Sequence, residues 1–355
     1  MRINPGYRVI SLADGRVRIG SGAGGLWIEG LCPAEVDFVL SLAGPAAGPT
    51  AGPVESAGSA AHSGAAPASG GGASAGEGLD PCRTAAILDL LRPVLVDQAT
   101  YRIPGSRSGV LAPDIRQWSA AYGRHAGPLV VRRARATVRI HGLDRAGQEL
   151  ARLLASAGIG SLQLCDPEPV GLGDLSTGLL KVPDLGRSRA GACAIHLRRL
   201  APHLRVQELR VREWTRRPAS PEPETDVAVV FARERVPAEI QAGFASAQAP
   251  HLRVLFGDAG ASVGPLVLPG STACLDCAPD APDPTDPSPQ PPSEPETALA
   301  ATVAGLAAVQ VLMLLDGINV PAAVDGILHL DLATGGVVRE AIAPRPDCLC
   351  RALAA

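Results

Sequence analysis

At 355 residues, with 46% apolar and 19% charged residues, the chain has room for two ordinary domains and the balance of a globular protein. A formal net charge of −3 gives no electrostatic footprint for nucleic acid, and all but one of the 32 basic residues are arginine, the exception being Lys181, which reads as codon bias rather than a selected phosphate-binding surface. The opening MRINPGYRVISLADG lacks the apolar core of a signal peptide, which argues against export and makes the cytoplasm the expected compartment.

Residues 7–43 begin with two alternating runs joined at Asp14-Gly15, a hairpin signal, followed by a short strand over Leu26–Glu29. Pro33 then opens a helix carrying Val36, Phe38, Val39, Leu40 and Leu42. Residues 44–79 are almost entirely Gly, Ala, Ser and Pro, a composition too poor in apolar surface to offset the entropy of ordering, and are expected to be a disordered insertion. Helical spacing resumes with Ala86, Ile87, Leu90 and Leu91 on one face, followed by a strand-like VLVD. The pieces on either side of the insertion make one small α+β domain, placed at residues 1–125.

From Arg132 the pattern changes to alternating strand and helix, which predicts a mostly parallel sheet and an α/β domain over 130–355. ATVRIHG is its first strand, Gln148–Ala157 the following helix and SLQLCD the second strand. Arg189–Leu200 is the next helix, and LRVQELRV, DVAVVFA and LRVLFGDA are three more strands. Residues 278–296 form a proline-rich acidic loop. Ala298–Leu315 runs 18 residues without a charge, the threshold for a membrane span, but Thr302, Gly305, Gln310 and the abundant alanine favour a helix buried in the protein and no membrane association. GILHLDLATGGVVREAI closes the chain as a hairpin.

Two stretches carry chemistry. In VRIHGLDRAGQE, Gly142 and Gly147 keep the outer spacing of a G-x-G-x-x-G nucleotide turn, but Asp144 stands where the middle glycine lets backbone approach phosphate. A NAD-dependent oxidoreductase would follow from that turn alone; Asp144 breaks the signal, and no His/Tyr-Lys arrangement accompanies it. The second is the cysteine set. Cys274-Leu-Asp-Cys277 and Cys348-Leu-Cys350 supply four soft ligands, the number a closed tetrahedral structural zinc site needs, with free thiols or a redox C-x-x-C as the alternative. Four cysteines would leave no open position for catalysis.

These motifs, in this order, resemble the ThiF/MoeB superfamily of ubiquitin-activating-like adenylyltransferases. VRIHGLDRAGQELARLLASAGIGSLQLCDPEPVGLGDL is similar to its first βαβ unit, and VGPLVLPGSTACLDC with DCLC to its zinc-bearing half. The resemblance implies a Rossmann-like domain, structural zinc, a crossover segment at the proline-rich loop and a homodimer. The N-terminal layout of hairpin, third strand and two helices resembles the winged-helix element of leader-peptide-binding proteins in thiazole/oxazole-modified microcin pathways. It implies a precursor leader peptide and a YcaO-type cyclodehydratase, or other modifying enzyme, as partners.

The family pattern places a ribose-binding acid at Asp166 and a second acid at Glu168, and both are present. Its phosphate side is altered. Asp144 replaces a glycine; Asp174, Thr177 and Gly178 stand for asparagine, arginine and glutamine; Arg189 stands for the lysine; and Arg233 stands for the magnesium-binding aspartate. Lys181 falls where the family has an aromatic residue. These changes count against ATP, magnesium and adenylation. The expected function is therefore a degenerate ThiF-like protein that binds a precursor peptide and presents it to a modifying enzyme; the alternative is an active ATP-dependent adenylyltransferase of the sulfur-carrier-activating type.

Overall fold

The structure, a computed structural model, describes residues 1–43, 79–104, 107–176, 179–209, 225–233, 235–278, 294–348 and 350. The predicted insertion, save its last residue, and most of the proline-rich loop lie outside these, as do Thr177 and Gly178.

The chain divides into two compact units, Met1–Arg102 with Ala112–Pro128, and Ile103–Leu111 with Leu129–Ala355. In the first, β1 (Arg2–Ile3) pairs antiparallel with β5 (Leu95–Val96), and β2 (Val9–Ser11), β3 (Val17–Ile19) and β4 (Leu26–Ile28) form a three-stranded antiparallel sheet in that order. Strand alternation sends Val17 and Ile19 inward while Arg18 faces out opposite Trp27. Val17, Ile19 and Ile28 share a core with Val39 of α1 (Pro33–Leu42) and with Ile87 and Leu91 of α2 (Pro81–Leu91). Each helix has proline in its first turn, where the missing amide costs nothing. Arg83 ties α2 to α1 through Glu35, with Nε 2.9 Å from Oε1.

Helix α3 (Arg107–Tyr122) was not expected from the sequence, because Gly109 and an internal Pro113 blur its periodicity. Helix α4 (Gly127–Arg133) follows it.

The second unit is an eight-stranded sheet. Its strands are β6 (Thr137–His141), β7 (Ser161–Cys165), β8 (Arg205–Glu208), β9 (Val227–Arg233), β10 (His251–Phe256), β11 (Gly260–Val267), β12 (Gly326–Asp331) and β13 (Val337–Ala341). The order is β13-β12-β11-β10-β9-β6-β7-β8; β10, β9, β6, β7 and β8 run parallel, and the remaining three continue the sheet antiparallel. The chain reverses its winding between β6 and β9, where an open α/β sheet forms a crevice at the carboxyl ends of its strands. Among its described residues are helices α5 (Arg145–Ser156), α6 (Arg189–Leu200), α7 (Ala238–Ala247) and α8 (Thr297–Asp316).

Three elements differ from the sequence expectation, two of them for local reasons. Helix α5 starts at Arg145 rather than Gln148, because Asp144 caps it. Strand β8 is shorter than LRVQELRV among the described residues. Strand β11, GASVGPLV, carries two glycines and a proline, which concealed it.

Helix α8 is long and apolar enough to cross a membrane by length and composition, yet half of that stretch is buried inside the protein. Its final residue, Asp316, forms a fully buried bidentate pair with Arg133: Nε to Oδ1 is 2.9 Å, Nη2 to Oδ2 2.5 Å, and each side chain is 1% exposed. Arg132 also donates to the Asp316 carbonyl.

Candidate functional site

The crevice between the ends of β6 and β9 is a cavity of ≈ 540 Å³. Gly142 leaves β6 at φ +84, and a Cβ there would lie 2.9 Å from the Phe231 carbonyl oxygen. At Gly147, in the first turn of α5, a Cβ would lie 2.0 Å from the Gly142 carbonyl oxygen. Both glycines are therefore needed for helix and strand to meet this closely; Gly142 lines the cavity and Gly147 supports the turn beneath it.

Asp144 sits between them in extended backbone, and its Oδ1 accepts from the amides of Ala146 at 2.9 Å and Gly147 at 3.0 Å. A helix N-terminus offers such amides to anions. Here the chain supplies its own anion. Burial, working against those two amide bonds, raises the Asp144 carboxyl from 3.8 to about 6.

Asp166, just past β7, braces the same turn. Its Oδ2 accepts from the Leu143 amide at 2.6 Å and its Oδ1 from the Glu168 amide at 2.9 Å. Burial also raises its titration point. Arg189, at the start of α6, comes 3.7 Å from Asp166 with Nη1, donates from Nε to Asp174 Oδ2 at 2.9 Å and from Nη2 to Glu294 Oε1 at 2.6 Å. Asp174 is fully buried, and its Oδ2 also caps the Gly171 amide. Asp174 and Arg189, which the resemblance sets against an asparagine and a lysine, thus meet in one ion pair. One guanidinium serves three carboxylates, which leaves little of it for a ligand.

Arg233, at the end of β9, which the resemblance sets against a metal-binding acid, points Nη2 to Asp258 at 2.9 Å. The apolar wall is made by Phe231 and Phe256, whose rings lie 6.5 Å apart at 16°. His141 completes the floor, and burial lowers it to about 3, keeping it neutral. The structure thus gathers Gly142, Asp166, Glu168 and Arg189 around one cavity. Sequence reasoning missed Glu294, which is contributed from 105 residues away by a segment that reads only as acidic loop. It also missed the capping role of Asp144, although an aspartate directly before a helical run is an N-cap signal.

The four cysteines meet elsewhere in the unit. Their sulfurs lie within 4.8 Å of one another, with Cys274–Cys277 at 3.8 Å, Cys274–Cys348 at 3.4 Å and Cys277–Cys350 at 3.7 Å. Tetrahedral zinc with bonds of about 2.3 Å separates its sulfurs by roughly 3.8 Å, so the cluster fits a structural zinc. The Arg345 amide points at Cys277 Sγ at 3.3 Å, a donor suited to a thiolate. Among the described residues this is the one group of three or more ligands close enough to hold a metal.

The doubly wound sheet carries a glycine turn at its switch point and, apart from it, the four-cysteine cluster, and the ThiF family model matches residues 125–232. Solved structures extend the likeness over the whole chain. E. coli MccB in complex with MccA-N7isoASN superposes with a TM-score of 0.71 at 15% identity, covering 99% of both chains. MccB with AMPCPP and MccA gives 0.71 at 16%, covering 99% of this chain and 98% of that one. PaaA gives 0.59 at 19%, covering 73% of this chain and 92% of its own. At these identities the likeness is one of fold. No curated protein sequence matches the chain.

Proposed function

We propose that this ThiF-like protein has lost ATP chemistry, binds a ribosomally made precursor peptide through its N-terminal unit, and presents it to a modifying enzyme such as a YcaO-type cyclodehydratase. The observation that carries the reading is the occupied phosphate side of the crevice, where Asp144 takes the helix amides and Arg189 is engaged by Asp174 and Glu294. With the ATP role set aside, peptide binding is what remains of the resemblance. It is supported by MccB, solved in complex with N-formylated MccA. The N-terminal sheet suits such a role: among the described residues β4 pairs on one side with β3, and exposed Trp27 lies beneath the Arg18 guanidinium at 5.3 Å. An extended peptide could add to that edge as a fourth strand.

Fluorescence polarisation of a labelled precursor leader encoded beside the gene tests this reading, comparing the full chain with one lacking residues 1–125. Binding by the full chain only is expected; equal binding by both would remove the idea. Adenylation remains the second reading because MccB has been solved with ATP. Magnesium-dependent pyrophosphate exchange in the presence of the precursor would decide for it.

A further inference from the structure

A second cavity, of ≈ 450 Å³, lies among α7, the start of β10, the end of β11 and the stretch carrying Arg345, Asp347 and Cys348, beside the cysteine cluster. We propose that it binds a free aromatic amino acid whose ring carries a hydrogen-bond donor, tyrosine or tryptophan, as the zwitterion.

Three observations carry this. First, the volume is that of a small-molecule site, and Phe244, Val267 and Leu275 give its buried part an apolar lining for a ring. Two buried side chains there are polar. Thr272 spends its hydroxyl oxygen on the Leu268 amide at 2.8 Å, which leaves His251. Second, His251 is an open acceptor. Its Nδ1 lies 2.9 Å from the Ala249 carbonyl oxygen, which only accepts, so Nδ1 carries the proton. Burial lowers the ring to about 4 and keeps it neutral, so Nε2 holds a lone pair, and it has no partner among the described residues. Phe244 stacks on the ring at 4.5 Å and 7°, which fixes its plane. A buried acceptor left unpaired costs free energy, and a phenol O–H or indole N–H supplies the missing donor.

Third, the exposed part of the lining carries both signs of charge, in Asp276, Asp347 and Arg345. Asp276 accepts from Gln241 Nε2 at Oδ1, 2.6 Å away, and keeps Oδ2 for a ligand. Arg345 touches the cysteine cluster through its backbone amide, which donates to Cys277 Sγ, and its guanidinium has no ion-pair partner among the described residues; the Asp347 carboxylate likewise has none. An α-ammonium suits the two acids and an α-carboxylate the guanidinium. Four thiolates outweigh the charge of one zinc ion, so the neighbouring cluster adds to the field that draws the ammonium. A closed set of four cysteines leaves the ligand no position on the metal itself.

Isothermal titration of the full, zinc-loaded chain with L-tyrosine, L-tryptophan, L-phenylalanine, tyramine and 3-(4-hydroxyphenyl)propionate tests the proposal. Tyrosine or tryptophan should bind saturably, and phenylalanine at least about tenfold more weakly, because it leaves His251 Nε2 unpaired. Tyramine lacks the carboxylate and the propionate lacks the ammonium, so each should bind more weakly than tyrosine. R345A alters an exposed side chain, and should weaken tyrosine about as much as loss of the carboxylate does while leaving tyramine and the zinc content unchanged. H251F keeps a flat ring against Phe244 and should close the gap between tyrosine and phenylalanine. Failure of both tyrosine and tryptophan to saturate at millimolar concentration overturns the proposal, as does phenylalanine binding as tightly as the tighter of the two, or an R345A chain with wild-type affinity for tyrosine. The wild-type series and R345A decide the matter even if H251F does not fold.

Discussion

Asp144 caps α5 yet carries a carboxyl raised from 3.8 to about 6, so its two roles can be separated by replacing it with asparagine. Asparagine is as good an N-cap as aspartate, so D144N keeps the bonds to Ala146 and Gly147 and removes only the charge. A carboxyl whose folded titration point lies above its unfolded one favours folding when protonated. That contribution is fully present below about pH 3.8 and is lost as pH rises to about 6. At roughly 1.4 kcal/mol per pH unit, the wild type gives up about 3 kcal/mol across that window. For a unit of this size the loss corresponds to roughly 6–12 °C in Tm, an upper figure because local rearrangement would relieve part of it. Thermal melts followed by circular dichroism at pH 4.5, 5.5, 6.5 and 8 would measure it. The Tm of D144N should pull ahead of wild type as pH rises, then hold a constant lead above about pH 6.5. A lead independent of pH, or a variant that falls behind at pH 8, would refute the argument that the cap is held at an electrostatic cost.

D316A would strand the Arg133 guanidinium in the interior and should cost about 3–5 kcal/mol, read as a lowered denaturation midpoint, with the double variant R133M/D316L recovering much of it. The purified chain should hold one zinc per molecule by elemental analysis, and C274S should lose the metal together with thermal stability; a C274S chain that keeps both would break the assignment of that clasp. G147A would press a methyl group to within 2.0 Å of the Gly142 carbonyl oxygen and should prevent soluble folding, whereas alanine at Gly305, where nothing lies within 4 Å, should be tolerated.

Strands β6, β7, β9 and β10 were legible because their buried runs are rich in Val, Ile and Leu and are bounded by turns, and α6 was read to the residue from its spacing. Strand β11 was not, since its sequence spells turn residues while its neighbours β10 and β12 impose the ladder. The cysteine cluster was legible because short spacings dictate which sulfurs face one ion. The Arg189 contacts were not, because their partners lie 15 and 105 residues away and nothing local encodes the meeting. Asp144 is legible as a departure from a glycine pattern, whereas the placing of its oxygen on the Ala146 and Gly147 amides depends on the folded turn.

The ion pair of Arg189 with Asp174 also couples two positions in the sequence. Changing Arg189 to lysine alone would remove the planar fork that reaches Asp174 and Glu294 together, and changing Asp174 to asparagine alone would remove the most buried of the carboxylates that balance the guanidinium. Each single change leaves the interior poorly neutralised, so the two positions should tolerate exchange together better than one at a time. Arginine and aspartate at these two places therefore form one energetic unit that spans α6 and the 3-10 turn before it.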